Sequence, residues 1–404
     1  MTEPQRSITW KRLLHRYKRE FLVWLDEKEV RLKTFRKLAE DLEQYIILCL
    51  TTGSFYARDL STAYLCEQFA SCIPGVFTNC DDPRMYEQDT AALAYAHVHL
   101  LERYRRFWDV LVCLLDAAVL PMSDKGLEVL DVGTGPAPAL FAVSDFYQAL
   151  QDFASEKGYA SLVTPFPRLN TVESSRNMVH FIHHLSEITE RAYGIYSATF
   201  DRFDGLDFAE LRANERWASR QVKDYYDYET GTWETWYEDG DAGWTEGLFR
   251  YNLVIFSNFL TRKDTVENWR KELLSTCWSI RHGGLAVIVG GSGDKYQPVY
   301  DIVNEVAEKS ALQRVTSVSE KIPCSYSDPY AKRIKTHYNT IWTWIRENSA
   351  IDDSFLTSRG IARKLWNPQK GLKESSSPSE FNLLVFRRSG RPWNLTRRRT
   401  RLLT

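Results

Sequence analysis

The run Glu128-Val129-Leu130-Asp131-Val132, followed by Gly133-Thr134-Gly135-Pro136, constrains the fold of this chain more than any other segment. It reads as a short apolar strand with an acid near its end, a glycine turn, and then a helix over residues 137–157. Glycines allow a tight turn and bring backbone N–H groups close to a ligand. The helix N-terminus beyond adds partial positive charge. Pro136 suits a first helical turn, where its missing N–H costs nothing.

Everything downstream repeats the same alternation. Strands are predicted at 169–173, 194–200, 251–256, 285–289, 315–322 and 383–386, and helices at 175–191, 265–280 and 298–312. Alternating strands and helices predict a mostly parallel sheet covered on both faces. Upstream the pattern is helical. Leu13, Leu14, Tyr17, Phe21, Trp24 and Leu25 recur at three- and four-residue spacing within a helical reading of 10–50, whose second run is 38–50. A further helix is expected over 60–72, a loop over 73–84, and a long helix over 89–117 with Leu93, His97, Leu100, Leu101, Tyr104, Phe107, Trp108 and Leu111 on one face. The domain reading is an all-helical N-terminal domain at 1–117, an α/β domain at 118–390 and a basic tail at 391–404.

Composition narrows the class. With 404 residues, 44% hydrophobic and 26% charged, the chain is globular in character rather than disordered. No apolar run reaches the roughly 18–20 residues that span a bilayer. The polar start, Met1 to Gln5, does not resemble a secretion signal. Seven cysteines without a CxxC pair do not make a disulfide framework, so a reducing, cytoplasmic setting is expected. The formal net charge of −1 conceals polarisation. Residues 5–37 hold 11 Lys/Arg against 4 acids, and residues 387–401 hold 7 Arg and no acid. Each basic end is either a solvated face or tail, or a contact for RNA or another polyanion.

Two nucleotide-site patterns fit the glycine turn poorly. A dinucleotide fingerprint needs a third small residue where Pro138 stands, and no GxxxxGK[ST] phosphate loop occurs. The stretch 128–140, with Asp131 before the first glycine and Pro136 after the second, resembles motif I of class I S-adenosylmethionine-dependent methyltransferases. That resemblance spans roughly residues 118–390 and implies a Rossmann-like, seven-stranded α/β sheet. It implies S-adenosylmethionine as cofactor, with Asp131, Gly133, Thr134, Gly135 and Pro136 beneath its methionine and ribose portions. It places Glu173, followed by Ser174, at the ribose hydroxyls, and a bidentate carboxylate is a natural acceptor for two adjacent hydroxyls. It puts Asp201 beside the adenine, with Asp204 as the alternative, and Phe256, Ser257 and Asn258 at the mouth. Gly283-Gly284 before an apolar strand is also similar to the family. Glu173 follows Gly135 by 38 residues, nearly twice the family's usual spacing.

No Asn-Pro-Pro-Tyr motif and no Pro-Cys pair follows the fourth strand of this reading, so base-amine and cysteine-nucleophile chemistries are disfavoured. No catalytic residue is assigned. The helix leading into a Gly-Pro motif also resembles a methyltransferase-like family associated with the small ribosomal subunit. That group often carries a cysteine cluster, whereas Cys66, Cys72 and Cys80 are too loosely spaced for one. The expected function is therefore methyl transfer, with an RNA or ribosome-related acceptor favoured. A small-molecule or protein acceptor is the first alternative, and a non-catalytic assembly protein that keeps the fold is the second.

Three further features are singled out. His180, His183 and His184 share a helix face and read as packing rather than metal ligands, so no metal site is assigned. Gly290 to Lys295 reads as a glycine-rich loop at the same end of the sheet as motif I. Residues 224–246 hold eight acids, no Lys or Arg, and the aromatics Tyr225, Tyr226, Tyr228, Trp233, Trp236, Tyr237 and Trp244. This insertion is expected as a cap or β-hairpin, or as a lid that prefers a cationic or aromatic group.

Overall fold

The computed structural model describes residues 10–53, 60–78, 85–86, 88–122, 127–159, 168–173, 175–193, 200–204, 220–227, 232–239, 251–324, 328–352, 354–355 and 379–388. Its strands are β1 (Glu128–Val132), β2 (Arg168–Glu173), β3 (Phe200–Asp204), β4 (Arg220–Asp227), β5 (Thr232–Asp239), β6 (Tyr251–Ser257), β7 (Ile280–Gly291), β8 (Leu312–Arg314), β9 (Lys321–Cys324) and β10 (Ser379–Arg388). They form one sheet in the order β5-β4-β3-β2-β1-β6-β7-β10-β8, with β9 also pairing β10. Strands β3, β2, β1, β6 and β7 run parallel, and β10 is antiparallel to β7 and β8. The seven strands from β3 to β8 make the expected Rossmann-like α/β sheet.

The helices are α1 (Trp10–Glu27), α2 (Val30–Thr52), α3 (Thr62–Thr78), α4 (Ala91–Asp116), α5 (Pro138–Glu156), α6 (Arg176–Tyr193), α7 (Lys263–Asn268), α8 (Arg270–Trp278), α9 (Gln297–Lys309) and α10 (Asp328–Asn348). Side chains alternate across the sheet. Val129, Ile255, Val287 and Val385 face a core built with α1–α6 and α10. Leu130, Val254, Ile288 and Leu384 face a second core built with α7, α8 and α9. The N-terminal helices therefore share one continuous core with the sheet.

Several elements differ from the sequence reading. The run 10–50 divides at Glu29, which adopts the left-handed conformation (φ 50). Helix α3 continues through Pro74 to Thr78 where a loop was expected, because Ile73 and Val76 are buried. The third strand begins at Phe200, where the reading ended it. Phe-Asp-Arg-Phe-Asp lacks an apolar run, and pairing with β2 and β4 holds it extended. Most of the expected strand 315–322 is a turn: β8 ends before it, and β9 overlaps it only at Lys321 and Ile322. Helix α10 was not anticipated, although Ile334, Ile341, Trp342 and Ile345 give it a buried stripe. The acidic-aromatic insertion contributes the hairpin β4–β5, which extends the sheet beyond β3. Residues 228–231 and 240–246 of that insertion lie outside the described residues.

Candidate cofactor cleft

From β1 the chain moves outward through β2 and β3, then returns to β6 on the other side of β1. The carboxyl ends of β1 and β6 therefore diverge, and open α/β sheets bind ligands at such a switch point. The glycine loop emerges there. Gly133 (φ 66), Gly135 (φ 56) and Ala137 (φ 58) are all left-handed. Gly133 N–H donates to Val172 O at 2.8 Å, and Thr134 Oγ1 donates to Asp131 O at 2.8 Å. Ala137 carries a Cβ in that conformation, which costs roughly 1–2 kcal/mol. Pro138, rather than Pro136, occupies the first helical turn.

Two acids meet beneath this loop. Asp131 is buried, and its Oδ1 has no hydrogen-bond partner among the described residues. Burial, and then the nearby charge of Glu173, push its carboxyl well above the usual carboxylate range. Glu173 accepts Gly135 N–H at 2.7 Å on Oε2 and Ser175 N–H at 3.0 Å on Oε1. The pairing Val132↔Val172 places Glu173 just past the end of β1, so the long sequence spacing does not displace it. Ser174 lies outside the described residues.

The remaining site candidates separate. Asp201 is the second residue of β3, opposite Asn170, and so is not beyond the strand's end as expected. Asp204, the alternative, is the strand's last residue and lies opposite Glu173. Phe256 belongs to the core on the α7–α9 face rather than to the cleft, because the strand alternates. Ser257 ends β6, and its Oγ accepts Asn258 Nδ2 at 3.2 Å. Asn258 is left-handed (φ 55), and its N–H donates to Val289 O at 2.8 Å.

Sequence reasoning missed the wall opposite the loop. Helix α4 presents Tyr95, His99, Glu102, Arg103 and Arg106 at three- and four-residue intervals. A Cβ on Gly135 would lie 3.7 Å from the Tyr95 ring. Arg103 donates to the Tyr95 hydroxyl and lies 5.1 Å over its ring. Arg106 pairs with Glu102 and reaches Asn258 Oδ1 at 3.4 Å. His99 donates to the Val76 carbonyl, and burial plus the charges of Arg103 and Arg106 hold its pKa well below the usual imidazole range. This polar stripe was visible in the sequence as the complement of the apolar stripe. His97 faces the other way. Its Nδ1 lies 3.0 Å from His337 Nε2, and His337 Nδ1 lies 3.2 Å from Glu43, which Arg333 holds at 2.6 and 3.1 Å.

Other singled-out residues fall elsewhere. His183 and His184 both face Glu187, at 3.4 and 3.6 Å. Gly290 and Gly291 are the last residues of β7 rather than a loop, and a Cβ on either would strike Tyr300 or Tyr296. Of the basic N-terminal stretch, Lys18, Lys28, Arg31 and Lys37 pair with Asp116, Glu156, Asp109 and Asp41. Arg387 and Arg388 lie at the amino end of β7, opposite the glycine loop, and the tail beyond lies outside the described residues. Cys49, Cys66, Cys72, Cys113 and Cys277 are free thiols. No helix of the described residues is long and apolar enough to cross a membrane.

No protein-family model and no curated protein matches the chain. Among solved structures, a Galdieria sulphuraria protein assigned as a sarcosine dimethylglycine methyltransferase is 12% identical. That match covers 80% of this chain and 98% of the other, with a TM-score of 0.37. Phosphoethanolamine N-methyltransferase 2 from Haemonchus contortus, in complex with S-adenosyl-L-methionine, is 13% identical, covering 76% and 60%, with a TM-score of 0.36. A TehB-like SAM-dependent methyltransferase from Corynebacterium glutamicum is 12% identical, covering 71% and 88%, with a TM-score of 0.28. Likenesses this low supply no functional argument, and the fold rests on the strand order above. The resemblance to ribosomal-subunit-associated proteins finds no support in them.

Proposed function

We propose that this chain is an S-adenosylmethionine-dependent methyltransferase. The observation that carries the reading is the meeting of Asp131 and Glu173 at a left-handed glycine loop, where buried Asp131 Oδ1 has no partner among the described residues. The Glu173 carboxylate at the loop repels a phosphate-bearing nucleotide and favours a ligand rich in N–H and O–H donors. S-adenosylmethionine is such a ligand, and its sulfonium supplies an electrophilic methyl group.

On this reading Glu173 serves the ribose hydroxyls, Asp204 the adenine side and the Gly133–Gly135 backbone the remaining length. Ser257 and Asn258 border the mouth. The polar face of α4 orients the acceptor, since methyl transfer depends first on alignment. Burial and the charges of Arg103 and Arg106 favour the neutral form of His99, which suits it to hydrogen bonding at the cleft rather than to taking a proton.

An RNA or other polyanionic acceptor is the reading favoured by the basic ends. Several of those cations are already paired within the chain, and the described parts nearest the two ends, α1 and the last residues of β10, lie away from the glycine loop. Phosphate contact there would anchor a partner rather than present it to the cleft. A small-molecule or protein acceptor enters at the α4 face instead.

Calorimetry with S-adenosylmethionine or S-adenosylhomocysteine tests the cofactor. Binding by the wild type and its loss in Gly133→Asp support the reading. Absence of wild-type binding rejects it and leaves an assembly protein with a methyltransferase-like fold. Tritium transfer from labelled cofactor into a fractionated lysate then sorts RNA, protein and small-molecule acceptors.

A further inference from the structure

The crevice between the ends of β1 and β6 holds an aromatic pair. A Cβ built on Gly133 would lie 2.0 Å from Phe259 Cδ2, 2.5 Å from Cγ and 2.7 Å from Cε2. The Phe259 ring therefore rests directly on the glycine loop. It stacks on Trp269 with centroids 4.8 Å apart and planes 4° from parallel. Both rings are partly buried and pack against the edge of the core on the α7–α9 face.

Each ring also sits on a backbone joint. Phe259 follows Asn258, a non-glycine residue held left-handed between the end of β6 and the start of α7. Trp269 separates α7 from α8, with φ −93 and ψ 11, outside both helices. Asn258 N–H is tied to Val289 O at 2.8 Å and Trp269 is bonded to Thr265 and Leu273, so the backbone under each ring is held and displacement of the pair falls to the side-chain torsions. Asn258 is hydrogen-bonded to Arg106, so the joint under Phe259 is connected to the polar face of α4.

We propose that Phe259 and Trp269 form an aromatic gate over the glycine loop, closed in this structure and displaced when cofactor enters; this inference rests on the cofactor reading above. The gate makes the binding-competent state a minor one. Apparent affinity is then reduced by the fraction of open molecules, and a variant that cannot close regains that factor. Aromatic stacking of this kind corresponds to roughly a two- to tenfold population bias.

The experiment is calorimetric titration of S-adenosylhomocysteine into wild type, Phe259→Ala and Trp269→Leu, each checked for a cooperative thermal transition. Phe259→Ala is expected to bind roughly two- to tenfold more tightly than wild type, with Trp269→Leu between them. Equal or weaker binding by Phe259→Ala, with wild type binding normally, overturns the gate and leaves the cofactor reading intact. Failure of every form to bind overturns both. Should Phe259→Ala not fold, Phe259→Leu removes the stacking while keeping apolar cover and is judged by the same outcomes. The fluorescence of Trp269, taken as the difference between wild type and Trp269→Leu, should change at saturation. An unchanged difference spectrum means the ring has not moved and also overturns the gate.

Discussion

The two ends of the sheet differ in how their buried polar groups are met. At the carboxyl end, Gly133, Gly135, Ala137 and Asn258 hold left-handed backbone, and a buried carboxyl oxygen of Asp131 has no partner among the described residues. The amino end also holds left-handed alanines, Ala118 (φ 57) and Ala311 (φ 56), but its cations have partners. Arg388 is buried and donates to Ile280 O at 2.7 Å and Cys277 O at 2.8 Å. Lys18 meets Asp116, and Lys157 meets Glu20 at 2.6 Å, beyond the far ends of α4 and α5. Helix α5, with 19 residues, separates the two regimes by about 28 Å. Left-handed backbone occurs at both ends, so the mark of a ligand site here is its clustering at Gly133, Gly135 and Ala137 beside the buried Asp131 oxygen. Matched charge at the other end contributes to the fold without implying a ligand.

Substitutions at each end test that division. The largest effect is expected from Gly133→Asp. Its side chain meets both a left-handed φ and the Phe259 ring, so unfolding free energy should fall by about 2–4 kcal/mol, with cofactor binding lost. Denaturant unfolding and calorimetry read the two together. Arg388→Met comes next. It strands two buried carbonyls and should cost about 2 kcal/mol while leaving S-adenosylhomocysteine affinity unchanged; a changed affinity would show that the ends are coupled. Glu173→Gln should weaken S-adenosylhomocysteine binding about tenfold through loss of charge-assisted hydrogen bonds. It should also lower the pKa of Asp131, read by carboxyl NMR, because the neighbouring charge is gone.

A smaller effect concerns the buried pair His97 and His337, which belongs to neither end. Burial holds both imidazoles below the ordinary value of 6.5. The unfolded chain therefore binds more protons below that pH, and stability falls as pH drops through 6.5 until the folded imidazoles protonate. The loss approaches at most about 1.4 kcal/mol per histidine per pH unit. Unfolding at pH 7.5 and 5.5 should show it, with a shallower slope in His97→Gln. The least effect on the cleft is expected from removing Trp393 to Thr404. Retention on RNA should drop and lose salt dependence, whereas S-adenosylhomocysteine affinity should not move. Retention that ignores salt from the start would dismiss the polyanion proposal.

Residues with strong local signals were legible before the structure. The strand, glycine turn and helix around Asp131 to Gly135 rest on short-range periodicity and backbone freedom, so their order and type could be read directly. Glu173 was readable as an acid at a strand end, but only the Val132↔Val172 register brings it to the loop. Asp201 was misplaced because β3 is polar and is held extended by its neighbours. Helix α10 escaped notice, and its His337 finds His97 across 240 residues. The α4 wall escaped because a polar stripe on an amphipathic helix ordinarily faces water.

The sequence by itself determined an α/β sheet entered through a glycine turn, since spacing, apolar runs and turn residues act over a few positions. Tertiary structure alone decided which groups meet there. The approach of Glu173 to Gly135, of Tyr95 to the same loop and of Phe259 to Gly133 depends on strand order and helix packing. Those contacts join residues between 38 and 126 positions apart in the chain. Local propensity carries no information over such separations, and the register of the sheet does.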